Sequence, residues 1–274
     1  FNTMLPDENS NHIRAVVFDW AGTIFDFGSH APMGAFVKLF SEEGISISIE
    51  DARGPMGMPK WDHIHALGQL DHVQKQWLSK FGRPFSERDT DRLYDIFTPM
   101  NAAAVTEHAA LIPGFLELAS DLRSQGIKIG TTTGYNRQIM DVVLPLVKAQ
   151  GFIPDNLVCA DDLPTSRPTP MGMYKCFLDL DVWPSRSVVK VDDTVPGLLE
   201  GYHSGCWTVG VLASGNEAGL THQQWQSLSE SEKTLLRKRV AARLAAGHPD
   251  FLIDTVADLP SVLQKIRTIS TERQ

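Results

Sequence analysis

The 274 residues carry 25 Lys and Arg against 33 Asp and Glu, a net charge of −8, with no basic stripe able to neutralise a phosphate backbone, which argues against nucleic acid as a partner. No apolar run approaches the roughly 18 residues that span a bilayer. Cys159, Cys176 and Cys206 lack the paired spacing of a zinc site or redox dithiol, so reduced thiols in a cytoplasmic protein are expected. Residues 1–12 are polar rather than signal-like and receive no assignment. In chain order, residues 14–18 are a short β-branched and aromatic run ended by Asp19 and Gly22, the pattern of a buried parallel strand leading into a loop. Residues 28–106 follow helical periodicity (Phe36, Leu39 and Phe40; Trp61, Ile64 and Leu67; Leu93, Ile96 and Phe97) without a strand. Helices are then predicted at 115–125, 137–150 and 171–179, and strands at 127–130, 157–160, 188–191 and 207–212. The stretch from Gly215 to Gly247 reads as helical and polar, and 251–269 as a final strand and helix.

This alternation predicts an α/β fold, a doubly wound parallel sheet. Residues 1–27 and 107–274 would form the core domain, interrupted by an all-helical inserted domain at 28–106. The insertion leaves the sheet at the carboxyl end of a strand, where such folds place their chemistry. A helical block at that edge is suited to closing over a substrate as a cap.

Four elements at strand ends carry the chemistry. They are Asp19-Trp-Ala-Gly-Thr23, Thr131-Thr-Thr-Gly-Tyr135, Arg167 within Ser166-Arg-Pro-Thr-Pro170, and Val191-Asp-Asp-Thr194. Singly they read as a turn, a strand-capping threonine, a surface arginine and another turn. In this order they resemble the motifs of the haloacid dehalogenase superfamily. The resemblance implies that Asp19 attacks phosphorus and binds Mg²⁺, and that Thr133, with the Gly134 amide, holds the phosphoryl group. It further implies that Arg167 balances charge and that Asp193 is a second metal ligand. A carboxylate can attack an anion only where a metal and surrounding donors neutralise the repulsion. One departure stands out: Gly197 occupies the place of the motif's final acid and Asp192 that of a frequent glycine. Either Asp192 compensates as a metal ligand or the metal site is weakened.

Ala21 stands where phosphatases of the superfamily carry the acid that protonates a departing alkoxide, a loss of roughly 10² to 10⁴ in rate for an ester hydrolase. Together with Asp26-Phe-Gly28, Ala52-Arg-Gly-Pro-Met-Gly57, Lys60 and Asp62-His63, the pattern resembles the phosphonoacetaldehyde hydrolase (phosphonatase) family. That resemblance runs from Ala15 to Leu220. It implies a Schiff base between Lys60 and the aldehyde of phosphonoacetaldehyde, with acetaldehyde and phosphate as products. His63, three residues on, would share a helical face with Lys60 and relay protons. Ala21, Gly22, Met56, Thr133, Gly134, Tyr135 and Arg167 would surround the substrate. Mg²⁺ would sit among Asp19, Ala21, Asp193 and Asp192, and the protein would be a homodimer through its caps. For Lys60 to react as a free amine its pKa must fall from about 10.4, and burial and a place in the first turn of a helix after Pro59 would both lower it. Hydrolysis of another phosphonate or a phosphate ester, and an impaired member with a binding role, are the alternatives.

Overall fold

A computed structural model describes residues 13–272, so the polar first twelve residues lie outside it. Five parallel strands form one sheet: β1 (Ala15–Phe18), β2 (Lys128–Thr131), β3 (Val188–Asp192), β4 (Trp207–Val211) and β5 (Phe251–Ile253), in the order β2-β1-β3-β4-β5. Alternate side chains of β1 face opposite ways, as strand geometry requires. Val16 and Phe18 enter one cluster with Phe115 and Phe152, while Ala15 and Val17 enter another with Met173, Cys176 and Leu180. Apolar runs without alternation therefore mark a sheet covered on both faces. The covering helices include α6 (Phe115–Ser124), α7 (Arg137–Ala149), α8 (Met171–Leu180), α9 (Val195–Ser204) and, at the end, α12 (Leu259–Glu272).

The strand predicted at 157–160 is corrected. Only Val158 bridges, to Thr132, and residues Ala160–Asp162 turn into a short 3₁₀ helix. The reason lies in Asp155 and Asn156. Their side chains accept from Ile129 N at 2.7 Å and Thr131 N at 3.1 Å, taking the edge donors of β2 that a sixth strand would need. The polar stretch from Gly215 to Gly247 is helical as expected, with α10 (His222–Ser227) and α11 (Glu230–Leu244).

Between β1 and α6 run five helices without a strand: α1 (His30–Glu42), α2 (Ile49–Arg53), α3 (Lys60–Gly68), α4 (Asp71–Phe81) and α5 (Glu87–Val105). Phe36 of α1 is sandwiched by His63 of α3 at 3.9 Å and Phe97 of α5 at 4.3 Å between ring centroids. The two crossings between this block and the sheet run side by side, joined by Asp26 N to Ala110 O (3.1 Å) and Ile112 N to Ile24 O (2.8 Å). Asp26 itself starts α1, its carboxylate accepting from His30 N and Ala31 N, both at 3.0 Å. Among the described residues no helix is long and apolar enough to cross a membrane.

Candidate active site

Strand register brings the motifs together. Phe18 lies opposite Thr131 on one side and Val191 on the other, so Asp19, Thr132 and Asp192 meet at the carboxyl edge. Backbone bonds fix the step, Asp19 N to Val191 O at 3.0 Å and Thr132 N to Phe18 O at 3.0 Å. One hydroxyl, that of Thr23, joins the first motif to the last, donating to Asp193 Oδ1 at 3.0 Å and reaching Asp19 Oδ2 at 3.4 Å. Asp193 also accepts from Asn216 N at 2.7 Å. Arg167 donates to Asp19 Oδ1 at 2.9 Å.

Asp19, Asp192 and Asp193 are buried, and an oxygen from each falls within 4.8 Å of the others. Burial and mutual repulsion raise Asp19 above the ordinary carboxylate range, against the pull of Arg167 and Lys190, and raise Asp193 well above it. When ionised, Asp19, Asp192, Asp193 and the neighbouring Glu200 carry four negative charges against the two positive charges of Arg167 and Lys190. Oxygen-only donors, burial and an excess of two negative charges fit a hard divalent cation.

Across from the carboxylates stands Lys60, first residue of α3 and directly after Pro59. It is 3 % exposed, its Nζ 3.7 Å from Met56 Sδ and 5.0 Å from the centre of the Tyr135 ring. Burial, aided by Arg167 and opposed by Asp19 and Asp193, lowers its pKa to about 7. Asp19, Ala21, Met56, Lys60, Thr133, Gly134, Tyr135 and Arg167 line one pocket of about 10 Å³, the room of a single water. Of the three consecutive threonines, Thr133 is the one in that lining. Thr131 donates to Asn156 O at the sheet edge, and Thr132 turns to Arg167 and Glu200.

His63, Gly22, Asp192 and Asp193 lie behind this lining rather than in it. The Nε2 of His63 is 2.7 Å from Ala52 O, so a neutral ring carries its proton there and leaves the lone pair on Nδ1. Burial and the neighbouring Lys60 keep the ring neutral, its pKa well below the usual value. Gly22 has φ of 84° and abuts the Asp193 carboxylate, leaving no space for a side chain.

Sequence reasoning missed four participants. Gly57 also lines the pocket, at φ 92°, where a Cβ would overlap the Thr194 side chain. Lys190 and Glu200 form ion pairs within the carboxylate cluster. Arg53 of α2 donates to Gly28 O at 2.8 Å and Asn216 Oδ1 at 3.1 Å, tying the helical block to the loop that holds Asp193. Arg53 and Gly57 stood in the motif Ala52–Gly57 without a role of their own, a charged residue inside the apolar run 188–191 was a signal for Lys190, and Glu200 gave none.

Residues 13–202 match the family model described as haloacid dehalogenase-like hydrolase. Curated phosphonoacetaldehyde hydrolases of Paraburkholderia phytofirmans and Vibrio cholerae are each 47 % identical to the chain. The first match covers 93 % of this chain and 96 % of the relative, the second 95 % and 98 %. A crystal structure described as a phosphonoacetaldehyde hydrolase like protein from Oleispira antarctica superposes with a TM-score of 0.93 at 40 % identity, covering 96 % of this chain and 95 % of that one. The chain belongs to the haloacid dehalogenase-like hydrolases and, within them, to the phosphonoacetaldehyde hydrolase family.

Proposed function

We propose that the protein cleaves the carbon–phosphorus bond of phosphonoacetaldehyde to acetaldehyde and phosphate, with residues 28–106 acting as a cap over the core. The observation that carries the reading is Lys60, buried in the helical block, with a pKa of about 7 and in one lining with Asp19. The names of the relatives support the substrate.

A carbon–phosphorus bond resists hydrolysis because the departing carbanion is poor. Lys60 removes that obstacle by adding to the aldehyde and expelling water, which leaves an iminium beside the carbon bound to phosphorus. Asp19 then attacks phosphorus, and the electron pair of the broken bond enters the iminium to give an enamine. Nothing departs on oxygen, so Ala21 at the position of an acid is consistent with this chemistry and not with ester hydrolysis. Met56 and Tyr135 flank the amine, while Thr133 and the Gly134 amide serve the phosphoryl group opposite Arg167; Gly22, behind them, gives its N–H to Phe25 O instead. A proton reaches the enamine carbon, with His63 Nδ1 as its relay. Water then hydrolyses the imine and the aspartyl phosphate, restoring Lys60 and Asp19.

Asp19, Asp193 and the main chain of Ala21 would hold Mg²⁺, with Asp192 beside them. When bound, the ion neutralises the carboxylates and the phosphonate as they approach. Association of two copies through the cap belongs to the same reading, supported by Ile49, Leu78, Phe81 and Ile96 exposed on its surface. So does a cytoplasmic location, which suits three buried cysteines in the free form.

The test is Lys60→Ala with borohydride trapping. The wild-type chain is expected to lose activity irreversibly when borohydride is added with substrate, the label mapping to Lys60. Lys60→Ala is expected to fold, take no label and release no acetaldehyde. Turnover by the variant would refute the imine.

A further inference from the structure

Lys190 lies in the middle of β3 with no exposure to solvent and takes no part in the chemistry above. A buried ammonium is costly unless paired, and this one is paired three times. Its Nζ donates to Thr132 Oγ1 at 2.7 Å and lies 3.1 Å from Asp192 Oδ2 and 3.3 Å from Glu200 Oε1. The Thr132 hydroxyl is the hub: it also receives Arg167 Nη2 at 2.9 Å and donates to Glu200 Oε1 at 2.6 Å. Arg167 is thereby held from both ends, by Glu200 Oε2 at 3.4 Å behind and by Asp19 Oδ1 at 2.9 Å in front.

Asp192 is hydrogen-bonded through one oxygen and held through the other, which has no hydrogen-bond partner, by ion pairing alone. Its Oδ1 accepts from Thr194 N at 3.0 Å and Thr194 Oγ1 at 2.9 Å, holding the N-cap residue of α9, and its Oδ2 lies against Lys190 and, at 3.4 Å, against Arg167. The helices leave room for this array. A Cβ on Gly197 would overlap the Asp192 carboxylate, one on Gly201 would lie 2.7 Å from Lys190 Cβ, and one on Gly172 would lie 2.7 Å from Glu200 Oε2. Gly197 and Asp192 are therefore one feature, a carboxylate moved from helix to strand and turned toward two cations.

We propose that Lys190 and Glu200 are positioning residues that set the Arg167 guanidinium against Asp19 through the Thr132 hydroxyl. Lys190 at the same time makes Asp192 an anchor of this array, leaving a divalent cation to Asp19 and Asp193. The inference rests on the reading of Asp19 as the nucleophile.

Two variants test the array and two test the anchor. Lys190→Met with Glu200→Gln removes one charge of each sign, so the net charge is kept. The folded double variant is expected to bind Mg²⁺ calorimetrically like wild type while kcat falls by about 10²-fold, more than KM changes, the penalty of a displaced catalytic partner. Thr132→Val, which removes only the hub hydroxyl, should lower kcat in the same way if the double variant does not fold. Wild-type kcat in either folded variant overturns the positioning role. Asp192→Asn should weaken Mg²⁺ binding much less than Asp193→Asn does; equal losses overturn the anchor. Wild-type protein that binds Mg²⁺ yet never releases acetaldehyde sinks the proposed function instead, while the Asp192 titration still stands.

Discussion

The proposed mechanism needs Lys60 as a free amine, and its pKa of about 7 makes that form available near neutrality. Because the folded value is lowered, protonation below about 7 removes the nucleophile, so kcat/KM is expected to rise with pH through that region. His63 stays neutral across the range and adds no second rise. A profile flat from acid to mildly alkaline pH would contradict the assignment. On the proposed mechanism Ala21→Asp supplies an acid for which the leaving group has no use, and a fourth carboxylate beside Asp19, Asp192 and Asp193. Phosphonatase turnover should fall, and a faster variant would show that the leaving-group argument is wrong. At this scale much was legible, since Asp19, Ala21, Lys60, Thr133 and Arg167 each stand in a short motif. Lys190 and Glu200 received no role, because Thr132, which joins both to Arg167, lies 58 and 68 positions away, just past the end of β2.

The elements show why some boundaries were readable and others were not. Continuous apolar runs marked β1, β3 and β4 because both faces of the sheet are covered. Residues 157–160 carry the same signal but pair only at Val158, since the donors of β2 are taken by side chains from the polar residues just before. Pattern alone registers burial, and cannot tell which backbone donor a nearby carboxylate or amide will claim. The start of α9 follows from the same kind of local bond. Thr194 caps it, Asp192 holds that residue through its N–H, and Gly197 gives the Asp192 carboxylate its room. Gly197→Ala should destabilise the protein by about 1 to 3 kcal/mol through overpacking, measured as a lower denaturant midpoint. A wild-type midpoint would mean that the carboxylate is free to move aside.

For the whole molecule, the carboxyl edge of the sheet carries Asp19 and Asp193 and the helical block carries Lys60, so the proposed activity depends on how the two are held. Asn136 makes one of the joints. Its Oδ1 caps α7 through Ile139 N at 3.0 Å, while its Nδ2 donates to Tyr94 at 2.7 Å and Thr98 at 3.1 Å in α5. Arg53 makes another beside the crossing at Gly28. Mg²⁺ binding to a cluster with two negative charges in excess relieves repulsion only in the folded state. At about a hundred times its dissociation constant the ion should add roughly 2.7 kcal/mol, which raises Tm by about 5 to 10 °C for a chain of this size. Chelator should reverse the gain, and a melting temperature indifferent to both would argue against the site.

The chamber around Lys60 has room for one water, and that tightness bears on chemical selectivity. An unprotonated amine condenses with any carbonyl compound that reaches it, and living cells contain many. Shut away behind Met56 and Tyr135, this amine is shielded from such adducts. Discrimination then lies in who is admitted, not in the reactivity of the nitrogen.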